Sequence, residues 1–231
     1  MRRSTALQPT ESIPWRSLGN TGLLIRELNC DPVTGARTSL LKSPPRPQPE
    51  AKAQYHFSEE EFFCLAGRFT FDGNHWFRPG SYACFPAGVV HGADVRVPDG
   101  YLLYLRTSGS TEAVRVAQPR SSIPYRDDGR DDAPQAVLLD AELAAESPQR
   151  QILRRDKERS VELWRVRAGW SRVSDDWSSA PIELIVVSGE LQTDGRVLQT
   201  GTYGFYGVAE PRPALLAISE SVLLVHIGDW P

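Results

Sequence analysis

Two of the chain's four histidines stand in segments that carry further metal-ligating groups. One segment runs from Gln54 through His56, Glu59, Glu60, Glu61 and Cys64 to Gly67; the other runs from Gly80 through Cys84, Pro86 and Gly88 to His91. Two neutral imidazoles and one carboxylate can bind Fe(II), Mn(II), Ni(II) or Zn(II) and leave coordination positions open for a substrate. The competing reading is a pair of barrel histidines satisfied by ordinary hydrogen bonds.

Strands would bring these groups together. Side chains alternate faces along a strand, so Gln54, His56, Ser58, Glu60, Phe62 and Cys64 share one face, and His56 and Glu60 converge. Glu59 and Glu61 then point away, toward solvent or a partner. Gly67 permits a tight turn or bulge, Arg68–Phe71 continues as an extended run, and Asp72-Gly73 signals a hairpin turn. Gly80 opens a short apolar strand, Ser81–Phe85, and Pro86 with Gly88 bends the chain so that His91 swings back toward the first segment.

These residues resemble the two signature motifs of the cupins, small antiparallel β-barrels in which each motif supplies metal ligands. Gly80, Pro86, Gly88 and His91 fit the second motif at every spacing, while His56, Glu60 and Gly67 fit the second His, the Glu and the Gly of the first. Gln54 stands where the family usually has its first His, and Val95 where the second motif closes with Asn. The resemblance implies His56, Glu60 and His91 as ligands, with Gln54 a weak fourth through its amide oxygen. It also implies one divalent metal ion per chain, Fe(II) foremost, with Mn, Ni or Zn as other occupants.

An internal repeat extends the resemblance to two barrels. Ile182–Leu191 parallels Glu60–Phe69, Thr200–Phe205 parallels Pro79–Cys84, and Ser221–His226 parallels Gly100–Leu105. The expected fold is therefore all-β, with two tandem cupin-type antiparallel barrels (double-stranded β-helix, or jelly roll). Residues 1–117 form the metal-bearing domain, 118–134 a polar linker, and 135–231 a degenerate second domain. The counterparts of His56, Glu60 and His91 are Ser178, Ile182 and Arg212, which make no metal set. Thr10–Asn20 reads as an N-terminal arm, Ser43–Glu50 as a Pro-rich connection, and Ala136–Glu146 as a strand followed by helical turns. His75 reads as a surface residue and His226 as a packed strand histidine.

Composition agrees. A chain of 231 residues with 40% apolar residues, 18 Gly and 18 Pro has room for a turn-rich β protein of one large or two smaller domains. A net charge of −3 gives no reason to expect nucleic acid or an anionic membrane as partner. Cys30, Cys64 and Cys84 form no zinc-type pair and, being three, no disulfide framework. Each reads as a buried apolar residue, with Cys64 placed by parity on the metal-facing side. No signal-peptide core or transmembrane run is evident, so a cytoplasmic protein is expected. The cupin resemblance and exposed barrel edges suggest a homodimer.

Phe62, Tyr82, Tyr101 and Tyr104, with Phe69 or Phe71, are candidates to line the cavity, the alternative being plain barrel core. Tyr82 or Tyr104 would then offer a hydroxyl to a small organic ligand that chelates through two oxygens. Two functions of different class follow. One is a mononuclear metal enzyme, a non-haem dioxygenase acting on a small carbonyl or phenolic compound. The other is a non-catalytic metal- or small-molecule-binding, sensing module.

Overall fold

The computed structural model describes residues 2–50, 53–116, 125–126, 137–140, 149–156, 159–208 and 210–230. Among the described residues the helical pieces are two single 3-10 turns, Thr10–Ser12 and Ser174–Asp176, and no helix is long and apolar enough to cross a membrane. The rest is strands and turns, as expected from segments that alternate or run apolar and are punctuated by glycines at positive φ.

The strands that build the two main sheets and the ligand pair are, in the first half, β1 (Thr5–Pro9), β2 (Leu24–Cys30), β3 (Arg37–Ser43), β4 (Gln54–His56), β5 (Glu60–Gly67), β6 (Ser81–Phe85), β7 (Tyr101–Thr107) and β8 (Ala113–Arg115). The second half adds β9 (Val137–Asp140), β10 (Gln149–Arg155), β11 (Ser160–Val166), β12 (Ile182–Ser188), β13 (Thr202–Tyr206) and β14 (Ser221–Ile227).

Two compact units result, one of Trp15–Asp140 and one of Arg2–Pro14 with Ala141–Pro231. The first unit's main sheet runs β9-β6-β5-β7-β3-β2 and ends on Arg16–Ser17; the second unit's runs β1-β13-β12-β14-β11-β10. The repeat seen in the sequence is thus a repeat of strand order. Its register is shared too: Glu60 pairs with Phe85 and Thr107, and Ile182 with Tyr206 and Ile227.

The edge strands depart from the sequence-based boundaries. β1, placed by sequence with the first domain, pairs with β13 of the second unit; β9, placed with the second, pairs with β6 of the first. Of the expected polar linker 118–134, the described part is Tyr125–Arg126, a short strand paired with Val89–Val90. Residues 141–148, where helical turns were expected, lie outside the described residues.

Each unit has its own apolar core. In the first, Phe62, Cys64, Phe69, Phe85, Leu103 and Leu105 pack together; in the second, Trp164, Trp177, Leu184, Leu191 and Leu223 do so. Matching glycines, Gly67 and Gly189, lie just past a bulge in the pairing of β5 with β7 and of β12 with β14. At Gly67, with φ +79°, a Cβ would lie 2.1 Å from the Gly100 carbonyl oxygen. At Gly19, with φ +53°, it would meet nothing within 4 Å. Gly67→Ala should therefore cost about 3 kcal/mol of stability, and Gly19→Ala only about 1 kcal/mol, the price of the left-handed conformation alone. Urea unfolding of the two variants beside the native chain checks this.

Candidate metal centre

Three backbone contacts assemble the site. Gln54 and His91 exchange both backbone hydrogen bonds, N to O at 2.8 and 2.9 Å, as an isolated antiparallel bridge. The Gly88 N–H donates to the His56 carbonyl at 2.8 Å, closing the bend that Pro86 begins. β4 thus sits beside the segment that ends in His91. A bend at Phe57–Glu59 separates β4 from β5, so the expected single strand is two; the alternation nonetheless survives, and Gln54, His56 and Glu60 face one cavity.

His56, Glu60 and His91 each offer a ligand atom, all lying within 4.8 Å of one another. Glu60 Oε2 lies 3.4 Å from His56 Nε2 and 3.6 Å from His91 Nε2. The outer nitrogens are already engaged: His56 Nδ1 meets the Glu112 carbonyl at 3.1 Å and His91 Nδ1 meets the Val89 carbonyl at 3.2 Å. A carbonyl only accepts, so each Nδ1 carries a proton, and each ring in its neutral form turns an Nε2 lone pair inward. Two lone pairs and a carboxylate oxygen then face each other with no proton between them. Such a donor set repels itself unless a cation fills the gap, which is the arrangement a metal ion needs.

His91 is 4% exposed and stacks near Phe85 and Phe71, with ring centroids 4.7 and 5.2 Å away. Burial lowers its pKa; the Glu60 charge opposes this, and His56 reinforces it. A neutral imidazole is the ligating form. Gln54 stands at the rim of the set, its amide 3.5 Å from His56 Nε2. The nitrogen faces that lone pair as a donor, and rotating the amide by a half turn would present the oxygen instead.

The cavity has a volume of about 600 Å³ and is mostly apolar, with the three donors on one part of its wall. Directly paired residues share a face of a sheet, so the register decides which aromatics reach it. Leu105 and Thr107 on β7 face in with Glu60, and Tyr101 and Phe71 also line the cavity. Tyr82 and Tyr104 do not. Both pair with Phe63, which puts them on the opposite face of the sheet beside Glu61 and Arg106. There the Tyr82 hydroxyl donates to Glu61 Oε2 at 2.8 Å, and Arg106 pairs with the other oxygen, all three side chains being buried. Tyr82 and Tyr104 are therefore corrected as candidates for touching a substrate. Glu61 does point away from the cavity, but into a buried ion pair rather than solvent.

Cys64 faces inward and is fully buried among Phe62, Phe69 and Leu103 without lining the cavity; burial pushes its thiol up to about 12, so it stays an uncharged core residue. His75 is exposed and bonded to Asp72, and His226 is packed in β14 opposite Glu183. In the second unit Ile182 is core, and Arg212 donates to the carbonyls of Gly207, Glu210 and Ala180 at 2.7 to 2.8 Å. Its interior is filled by stacked Trp164 and Trp177, with ring centroids 5.6 Å apart, and the Arg172 guanidinium lies over both.

Sequence reasoning missed three cavity elements. The turn Leu18–Leu23, which runs on from the end of the expected N-terminal arm Thr10–Asn20, contributes Leu18 and Leu23 to the wall. The Pro-rich connection contains a strand, Arg46–Glu50, that brings in Arg46 and Glu50; proline every second residue leaves one edge free to pair with Val95–Val97. Arg115 on β8 also lines the cavity. The signal for Tyr101 over Tyr104 was available: Arg106 shares the parity of Tyr104, and a strand carrying Tyr and Arg on one face with Leu103 and Leu105 on the other places its apolar face inward.

Three comparisons bear on this geometry. Residues 3–111 match the family described as the ChrR cupin-like domain. Among solved structures, a protein of Nostoc punctiforme provisionally described as a dioxygenase aligns over 99% of this chain and 87% of its own, with a TM-score of 0.75 at 16% identity. The protein has a cupin fold of bicupin-like architecture. The pirin YhhW of Escherichia coli, solved with nickel(II), aligns with this protein over 99% of both chains at TM-score 0.63 and 13% identity. Bacillus subtilis oxalate decarboxylase, whose Mn(II) centres have been studied, covers 99% of this chain and 78% of its own at TM-score 0.63 and 13% identity. No curated protein sequence matches.

Two outcomes follow from the placements. Tyr82→Phe removes a hydrogen bond to a buried carboxylate, so it should destabilise the fold by about 1–3 kcal/mol while leaving metal uptake unchanged, checked by urea unfolding and elemental analysis. His91 binds a proton less readily folded than unfolded, because its pKa lies below the ordinary 6.5. The unfolded state then holds more protons, and the metal-free protein loses stability as pH falls through and below about 6.5. His91→Asn should flatten that dependence in urea titrations at pH 5 and 7.

Proposed function

We propose that this cupin is a mononuclear metal enzyme, a non-haem dioxygenase acting on a small carbonyl compound, with His56, Glu60 and His91 as ligands and Gln54 at the edge of the coordination sphere. The observation that carries the reading is the pair of bare Nε2 lone pairs facing one Glu60 oxygen at the wall of an apolar cavity. When bound, an iron, manganese, nickel or zinc ion would supply Lewis acidity, and iron or manganese also electron transfer with oxygen.

The chain's own groups do the rest. His56 and His91 are fixed through their Nδ1 protons, which holds the donors still and keeps both rings in the ligating tautomer. Three protein ligands leave room for a substrate to chelate and for a small second ligand. Walls built by Ile25, Leu41, Val95 and Leu105 give that space an apolar lining. Tyr101 faces the cavity with its pKa pushed up to about 12 by burial, so it stays protonated at neutral pH and serves as a hydrogen-bond donor, not a base.

The second reading, a metal- or ligand-binding sensor without catalysis, is favoured by Gln54, a poorer ligand than the histidine it replaces, and by the filled second barrel. Elemental analysis of protein purified without added metal, beside His56→Ala/His91→Ala, is the deciding test. Near-stoichiometric metal in the native chain and roughly one-tenth of that or less in the variant supports the site. Oxygen uptake with a panel of carbonyl and phenolic compounds then separates enzyme from sensor. Metal-free native protein after reconstitution would sink the enzyme reading and leave a sensor that binds a small molecule without metal.

A further inference from the structure

Resting on the metal reading above, the geometry points to a substrate class: a 2-oxo or 2-hydroxy carboxylate with an apolar body, whose carboxylate is read by Arg115. β8 pairs with β4 so that Ala113 lies opposite His56 and Arg115 opposite Gln54. Cross-strand partners share a face, with Cβ atoms about 5 Å apart, so Arg115 stands on the same face as His56 and Gln54, one pair along from the His56 ligand. Its side chain lines the cavity.

The charges of the cavity wall single out this residue. Arg46 is spent: it pairs with Glu50 at 2.8 Å and donates to the Thr21 carbonyl at 2.9 Å. Glu60 is committed to the donor set. Arg115 has no carboxylate partner among the described residues. A divalent ion with one carboxylate and two neutral imidazoles keeps a net positive charge, and Arg115 adds a second a short reach away. The polar end of the cavity is thus short of negative charge, and the ligand must bring it.

The form of that charge follows from the neighbours. A planar guanidinium matches a carboxylate through two parallel hydrogen bonds. A carboxylate with an oxygen on the adjacent carbon can chelate the ion and still offer an oxygen to Arg115. A neutral phenol would leave Arg115 unanswered. The rest of the molecule would lie among Leu23, Ile25, Leu41, Val97 and Leu105, which favours a hydrocarbon or aromatic body.

Titration calorimetry tests this on the metal-loaded protein with phenylpyruvate, with its neutral amide and with catechol, using native, Arg115→Gln and Arg115→Lys chains whose metal content is measured on the same samples. We expect phenylpyruvate to bind about tenfold more tightly than the amide. Arg115→Gln should erase that preference without loss of metal, and Arg115→Lys should keep part of it. Equal binding of acid and amide, or a preference that survives Arg115→Gln, overturns the assignment while leaving the metal site standing. Catechol as the tightest ligand overturns it in favour of a phenolic substrate. A native chain that takes up no metal overturns the metal reading itself, and this inference with it.

Discussion

The site depends on one backbone bridge. Gln54 and His91 lie far apart in sequence, yet each satisfies the other's N–H and C=O. Because buried backbone groups must be paired, that exchange fixes the relative position of two segments whose side chains carry the donors. His56 follows from Gln54 by the two-residue alternation of a short strand, and His91 follows from the bridge itself. The side-chain chemistry is thus set by main-chain hydrogen bonds that involve no ligand atom. Flanking carbonyls from Glu112 and Val89 then take the remaining imidazole protons.

The same alternation separates two kinds of polar chemistry in one sheet. Glu60 and Glu61 are neighbours, yet one faces an open cavity with two imidazoles and the other a buried pocket with Arg106 and Tyr82. In the second unit the outward set recurs as Glu183 with Tyr203 and Arg2, while the inward set is replaced by Ile182 and tryptophans. The outward carboxylate is common to both units, and among the described residues the inward donor set belongs to the first alone.

Much of this was legible in the sequence. The two-barrel fold came from a repeat of apolar strands, and the donor cluster from short-range spacing and a Pro/Gly bend, both of which are local or periodic signals. What escaped depends on register over longer distances. Tyr101 and Tyr104 differ only in which face they take, and that is settled by pairing with β5 across a bulge. Arg46 and Glu50 hid in a proline-rich stretch that reads as a connection unless one edge alone is paired. Arg115 needs knowledge that β8 lies beside β4, a pairing of residues about sixty positions apart with no motif to announce it. The edge strands were assigned to their nearer sequence halves because nothing in five short residues of β1 states a partner.

The placement of β1 carries a consequence for synthesis. Its residues are among the first described in the chain, but the strand they pair with, β13, begins at Thr202. At about 5–20 residues per second a ribosome takes roughly 10–40 seconds to reach that partner. Through that interval β1 is an unsatisfied strand waiting for its sheet, the kind of segment that recruits chaperones or pairs with a neighbouring nascent chain. The first unit, whose own edge strand ends at Asp140, is complete well before β1 finds its place.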